Sequence, residues 1–313
     1  MRRRSPFWLI ALLIAVLPAS GCLFHRRPVE DQYSKAPLLQ ATRQELIDIV
    51  NRQADATHSL KATVDIDASA GGIKKGEITD YKEIRGYILA LKPGQLHMVG
   101  LMPIVRSTAF DMVSNGTEFK LWIPPKNRFV VGQENVPTPN SKSPMENIRP
   151  QNIYDAVLLS RIDPDTELAV LDDNGFEILH DSKGHRILRP DYELIIILKD
   201  GNGPRLSRKI VFGRTDLKPH RQYIYGPDGR LVTDSHYANY KEYDGINYPS
   251  RIEINLPQEE YDFTFNMLKV EINSALGQDQ FVLDQPPGAE VIRLDRPQSS
   301  LVEEKGPPLA QYR

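Results

Sequence analysis

The chain has 313 residues and a formal net charge of −2, so no basic surplus points to a nucleic-acid partner. Charged residues at 26% and aromatics at 8% describe an ordinary folded body, with chain enough for one large or two small domains. Cys22 is the only cysteine, which excludes a disulfide framework.

Arg2, Arg3 and Arg4 form a basic head and Phe7 to Leu17 an apolar run. Pro18-Ala19-Ser20-Gly21-Cys22 ends the segment in small residues, which completes the pattern of a secretory signal peptide. The apolar run is too short for a bilayer core, which needs about 20 residues. Ala19-Ser-Gly-Cys22 resembles the bacterial lipobox, in which the cysteine receives a diacylglycerol and becomes the new N-terminus. Ala19 stands where leucine is usual. The resemblance implies a signal peptide over 1–21, lipid on Cys22 and a lipidated linker over 22–37. Each buried CH₂ of an acyl chain contributes about 0.8 kcal/mol, so two or more chains anchor firmly. Leu23, not aspartate, follows the cysteine, which implies the outer membrane, with the body facing the periplasm.

Residues 38–57 read as an amphipathic helix with Leu39, Leu46, Ile49, Val50 and Thr57 near one face. In LKATVDIDA, Leu60, Ala62, Val64, Ile66 and Ala68 alternate with polar residues, the pattern of a half-buried strand. Further strands are predicted at 77–91, 94–101, 105–114, 117–123 and 127–132, with Lys92-Pro93-Gly94 and Asn115-Gly116 among the turns. A Pro-, Asn- and Ser-rich loop over 133–149 precedes a second helix at 150–161, with Pro150 in its first turn. Strands resume at 167–171, 175–180, 185–189, 191–199, 205–213, 219–226, 230–243, 246–256 and 260–272. Residues 293–313 are Pro-, Ser- and Glu-rich and read as a disordered tail. So many consecutive strands with two helices give a mainly β, α+β chain built on a curved antiparallel meander.

No Gly-x-Ser-x-Gly elbow, phosphate loop or His-Glu-x-x-His occurs. A lipidated Cys22 leaves no thiol nucleophile. His180 and His185 flank one turn, without the third and fourth ligands of a metal site. Asp163, Asp165, Asp172 and Asp173 lack the spacing of a calcium loop. No enzyme, cofactor or metal is expected. The tyrosines from Tyr223 to Tyr248 suit cross-strand packing, or a carbohydrate platform.

The helix–strands–helix–strands plan resembles the lipoprotein-sorting (LolA/LolB-like) family of envelope proteins. The likeness rests on Gly86-Tyr-Ile-Leu-Ala-Leu-Lys-Pro93 with Leu96 to Gly100, and on Asn115-Gly116 with Phe119 to Pro124 and Asn127 to Gly132. Tyr240 to Ile254 and Phe281 to Ile292 extend it, so that it covers about 38–292. It implies a half-open barrel with a helical lid, whose apolar concave face binds acyl chains of lipids or lipidated proteins. Leu60, Val64, Ile66, Ile84, Ile88, Leu96, Met98, Phe119, Leu121 and Ile123 are the candidates to line that cavity, or else to pack a closed core.

Gly100-Leu-Met-Pro-Ile-Val105 is apolar where a turn between strands should be polar. Acceptor members of the family carry a protruding hydrophobic loop with Pro-Leu-Gly at a similar place. The resemblance makes Ile104 the tip, supported by Leu101 and Met102, with Val105 in place of the glycine. A buried β-arch is the other reading. The function expected is an acceptor or carrier of lipidated molecules; the alternative is an accessory or stress-sensing envelope lipoprotein that uses the fold as a docking surface.

Overall fold

The computed structural model describes residues 32–73, 76–134, 144–201 and 203–294. The signal segment, Cys22 and residues 295–313 of the predicted tail lie outside them. The chain forms two compact units, one of residues up to Lys35 with Glu177–Arg189, the other of Ala36–Phe176 with Pro190 onward.

In the small unit, β1 (Gln32–Tyr33) pairs in parallel with Ile187 and Leu188, and the Ser34 N–H donates to the Leu188 carbonyl at 2.8 Å. Two residues of the predicted linker, Gln32 and Tyr33, are therefore strand. The turn at Asp181 closes through Gly184 N–H to Asp181 O at 3.0 Å. The Asp181 carboxylate accepts from the His185 and Lys183 amides, which holds it below the usual carboxylate range.

The large unit is one antiparallel sheet with a single parallel addition. Its strands are β2 (Ser59–Gly72), β3 (Glu77–Leu91), β4 (Gln95–Leu101), β5 (Thr108–Ser114), β6 (Glu118–Ile123) and β7 (Arg128–Gln133). Then come β8 (Glu167–Asp172), β9 (Phe176–His180), whose residues after Phe176 belong to the small unit, and β10 (Arg186–Asp200), which enters the large unit at Pro190. β11 (Gly203–Gly213), β12 (Pro219–Tyr225), β13 (Leu231–Tyr243), β14 (Ile246–Leu256), β15 (Tyr261–Ile272) and β16 (Glu290–Arg293) follow. From β10 the order runs β11, β12, β13, β14, β15, β2, β3, β4, β5, β6, β7, β16, with β8 on the other side of β10. Among the described residues β8 and β16 are not paired with each other, so the sheet is unclosed. The predicted strands at 185–189 and 191–199 are one strand through Pro190.

Two helices lie on it. α1 (Arg43–Ala56) begins five residues later than periodicity predicts, because Thr42 caps it: Glu45 N–H donates to Thr42 Oγ1 and Thr42 N–H to Glu45 Oε2. Leu46, Val50 and Ala54, four apart, are its buried stripe. Leu46 and Val50 pack with Ala169, Leu194, Ile196, Ile210 and Phe212 over β8, β10 and β11. α2 (Pro150–Val157) starts at Pro150 as predicted and stops four residues short of the predicted end. The buried Arg208 guanidinium takes the Ser160 and Arg161 carbonyls at 2.8 Å each and draws that segment out of helix. α2 touches β4 and β5 on one side and β13 and β14 on the other. Those strands stand far apart in the order, so the sheet curls around the helix.

Leu294 is buried on the core and its N–H donates to Val131 O at 2.9 Å. Arg293 and Leu294 thus extend the body into the predicted tail, because β16 pairs in parallel with β7. No helix among the described residues is long and apolar enough to cross a membrane.

Candidate functional site: a filled concave face and an apolar loop

Alternation along β2, β3, β4 and β6 turns the ten predicted cavity residues toward the concave face. Leu60, Val64, Ile66, Ile88, Leu96, Met98, Phe119, Leu121 and Ile123 are buried in one cluster, and Ile84 is half-buried against it. The same cluster holds Ile153, Tyr154, Ala156 and Val157 of α2. The structure brings the ten together and lays a helix over them. Their packing leaves an apolar crevice of about 10 Å³ beside Met98, Phe110, Met112, Leu121 and Phe263, about what one water needs. Among the described residues, that crevice is too small for an acyl chain while α2 is in place.

Polar anchors hold α2 down. Tyr248, buried, donates its phenol to Val157 O at 2.8 Å, and Gln222 donates to Asp155 O at 2.9 Å. The Glu134 carboxylate accepts from Ser114 Oγ at 2.6 Å and from the Gln151 N–H at 3.3 Å. Burial raises the pKa of Glu134 despite both bonds. Arg149, just before the helix, lies 5.0 Å from the Phe119 ring centroid, and burial lowers its pKa. Upstream, Glu146 is tied to Arg128 at 2.7 Å.

The concave face also holds residues outside the ten predicted cavity candidates. Ile252, Ile254 and Leu256 of β14 and Tyr261, Phe263, Phe265 and Met267 of β15 belong to the same cluster. The rings of Tyr261 and Phe263 are 4.7 Å apart and those of Phe263 and Phe265 5.7 Å. The alternation in YDFTFNM was their signal. Tyr237 and Tyr248 are buried and Tyr240 donates its phenol to Pro219 O, so these tyrosines pack rather than form an exposed platform.

The loop after β4 behaves differently. Ile104 is 96% exposed and Val105 69%, Met102 is also exposed, and Leu101 is half-buried at its base. It is a protruding loop and not a buried arch. Met102 N–H to Ser107 O at 2.8 Å closes it, and Val105 N–H donates back to Pro103 O at 2.7 Å around Ile104. That γ-turn sets Ile104 at φ 66, a strained conformation for a β-branched residue. β2 and β4 run in the same direction, so the turn after β2 lies at the same end of the sheet. It exposes Ile73, with Ile78 and Tyr81 following on β3.

No protein-family model and no curated protein matches the chain. It is similar in structure to a domain described as an outer membrane lipoprotein-sorting protein from Vibrio parahaemolyticus, at 15% identity and a TM-score of 0.45, over 77% of this chain and 97% of that one. It is similar to a LolA superfamily protein from Nitrosomonas europaea at 12% identity and a TM-score of 0.44, over 78% and 99%. A DUF1329 family protein from Desulfovibrio piger gives 13% identity and a TM-score of 0.46, over 78% and 98%. The described residues themselves form a mostly β structure with one large unclosed sheet and two α-helices.

Proposed function

We propose that this is a lipid-anchored envelope protein, tethered through Cys22, whose loop at Met102–Val105 meets a bilayer or the acyl groups of a lipidated molecule in transfer. The observation that carries this is Ile104, fully exposed at φ 66. An exposed apolar patch marks an interaction site, and strain of about 1–3 kcal/mol persists only where surrounding structure holds it. Ile73, Ile78 and Tyr81 widen the apolar end of the sheet, and exposed Arg106 beside the tip suits an anionic headgroup. On this reading the ten concave-face residues from Leu60 to Ile123 receive an acyl chain when α2 withdraws, and the protein works as a non-enzymatic acceptor or carrier at the outer membrane. The filled concave face favours a second reading, a docking or stress-sensing lipoprotein that takes up no lipid.

The experiment has two steps. Metabolic labelling with a fatty-acid analogue should mark the wild type and leave Cys22→Ala unmarked; equal label sinks the anchor. The unlipidated Cys22→Ala protein is then mixed with phosphatidylethanolamine–phosphatidylglycerol vesicles and with a fluorescent fatty acid. Vesicle binding with saturable fatty-acid uptake supports the carrier. Vesicle binding without uptake leaves the docking reading, and neither ends the role of the loop.

A further inference from the structure

The concave face changes character beyond β13. Where the segment Ser160–Glu167 leaves α2 and passes β11 and β12, it walls a pocket of about 360 Å³, within the size range of small-molecule sites. Its lining is mixed: Leu198 and Ile224 stand beside Asp155, Glu167, Ser207, Arg208 and Gln222. Ser207 is the extra residue of a β-bulge: the pairing of β10 with β11 steps from Arg208 to Leu206 across it. Bulges of this kind re-aim side chains beside functional sites.

The hydrogen-bond inventory says what such a pocket accepts. Arg208 spends its two terminal nitrogens on the Ser160 and Arg161 carbonyls and on Glu167 at 3.0 Å. Arg161 is paired with Asp55. Both cations of the lining are thus committed within the protein. Gln222 is 1% exposed, and its Nε2 is fixed on Asp155 O at 2.9 Å. An amide flip would set two oxygens against each other, so Oε1 is the free end. Among the described residues it has no partner. The Asp155 carboxyl receives one side-chain bond, from Gln151 Nε2 at 2.8 Å. Gln222 Oε1 is thus a buried acceptor without a donor, and beside it stands the half-buried Asp155 carboxyl with a single side-chain donor. Like Gln222 Oε1, the Arg208 Nε–H has no partner among the described residues.

We propose that this pocket binds the primary ammonium of a small amino alcohol on the Asp155 carboxylate, with Gln222 Oε1 and Arg208 Nε, both buried in its wall, turning to meet the ammonium and the ligand oxygen. The ammonium compensates a carboxylate whose nearest cation is already committed, and desolvated charges need partners. This site lies apart from the loop and does not depend on acyl binding. The same ammonium occurs in free ethanolamine and in an ethanolamine headgroup.

Calorimetric titration of the full chain in detergent at neutral pH tests it with ethanolamine, glycerophosphoethanolamine and, as the uncharged control, ethylene glycol. Saturable binding of ethanolamine and none of ethylene glycol is the expected result. Binding of glycerophosphoethanolamine as well assigns the headgroup, and its exclusion assigns the free amine. Asp155→Asn should weaken binding at least tenfold. Ser207→Trp fills the pocket from the bulge without touching the acid, and should abolish binding even where Asp155→Asn does not fold. Equal binding of ethylene glycol, or ethanolamine binding that Ser207→Trp leaves intact, overturns the proposal. So does the absence of saturable heat up to roughly tens of millimolar.

Discussion

The phenol of Tyr248 on β14 and the carbonyl of Val157 at the end of α2 meet at 2.8 Å, both buried and 91 residues apart in the chain. This bond ties the short helix into the curled sheet. A helix of eight residues has little stability of its own, so its place depends on such anchors and on the apolar face beneath it.

Tyr248→Phe removes the donor and leaves the ring. A net hydrogen bond is worth about 0.5–1.5 kcal/mol, and the orphaned Val157 carbonyl adds to the loss. We expect about 1–2 kcal/mol of destabilisation, read as a lower denaturant midpoint at unchanged slope. If acyl chains enter by displacing α2, the variant should also take up a fluorescent fatty acid faster than wild type. An unchanged midpoint would mean that the bond does not anchor the helix.

Most of the fold is legible from period-two alternation. Leu60, Ala62, Val64 and Ile66 announce both the strand and its buried face, and Asn115-Gly116 marks its hairpin with Gly116 at φ 86. The early start predicted for α1 fails because Leu39 sits at apolar spacing, yet its N–H donates to Arg214 O, a partner 175 positions away in sequence that no local pattern reveals. The end of α2 fails for the same reason, since Arg208 lies on a distant strand. At the candidate site, the ten concave-face residues and the loop were readable one strand at a time. That α2 fills the face was not, because curvature is a property of the whole sheet.

Gly86 and Gly100 face each other across β3 and β4, and side chains lie over both. A Cβ on Gly100 would stand 2.2 Å from the buried Phe110 ring, whereas one on Gly86 meets the mobile end of Ile66 at 2.4 Å. Overpacking of a filled core costs about 1–3 kcal/mol. Gly100→Ala should therefore destabilise by that amount, and Gly86→Ala by less. Equal melting of Gly100→Ala and wild type would show that Phe110 has room to move.

Asp155 predicts an unusual pH dependence. It borders a pocket yet is otherwise enclosed by protein, and burial pushes its carboxyl up to about 6, against the Gln151 hydrogen bond and the charge of Arg208. Glu134 and Tyr237 also lie within its electrostatic reach. A carboxyl whose folded pKa is raised favours the native state fully below its unfolded pKa, near 4. That contribution is lost as pH rises through about 6. Asp155→Asn removes the dependence and keeps an oxygen for Gln151. Relative to wild type, the variant should gain up to about 3 kcal/mol between pH 4 and 7, less where the open side of the pocket screens the charge. Denaturation of both proteins across that range checks the sign, and a flat difference would refute it.

The loop yields the sharpest test, since exposure and function pull in different directions there. Ile104 has no core around it, so Ile104→Glu should change stability by no more than about 0.5 kcal/mol, as surface substitutions do. Ile104→Gly goes the other way: it relieves φ 66, which glycine adopts freely, and gives up the apolar tip. The two variants differ in strain and agree in losing the apolar side chain. If the tip itself engages lipid, both should reduce vesicle binding by the unlipidated protein and slow transfer of acylated cargo, with Glu the more severe. If only the strained backbone matters, Ile104→Glu should bind like wild type and Ile104→Gly should not. Thermal melts alongside the vesicle assay separate these outcomes from simple unfolding, and full binding by Ile104→Glu would remove the apolar tip from the function assigned to it.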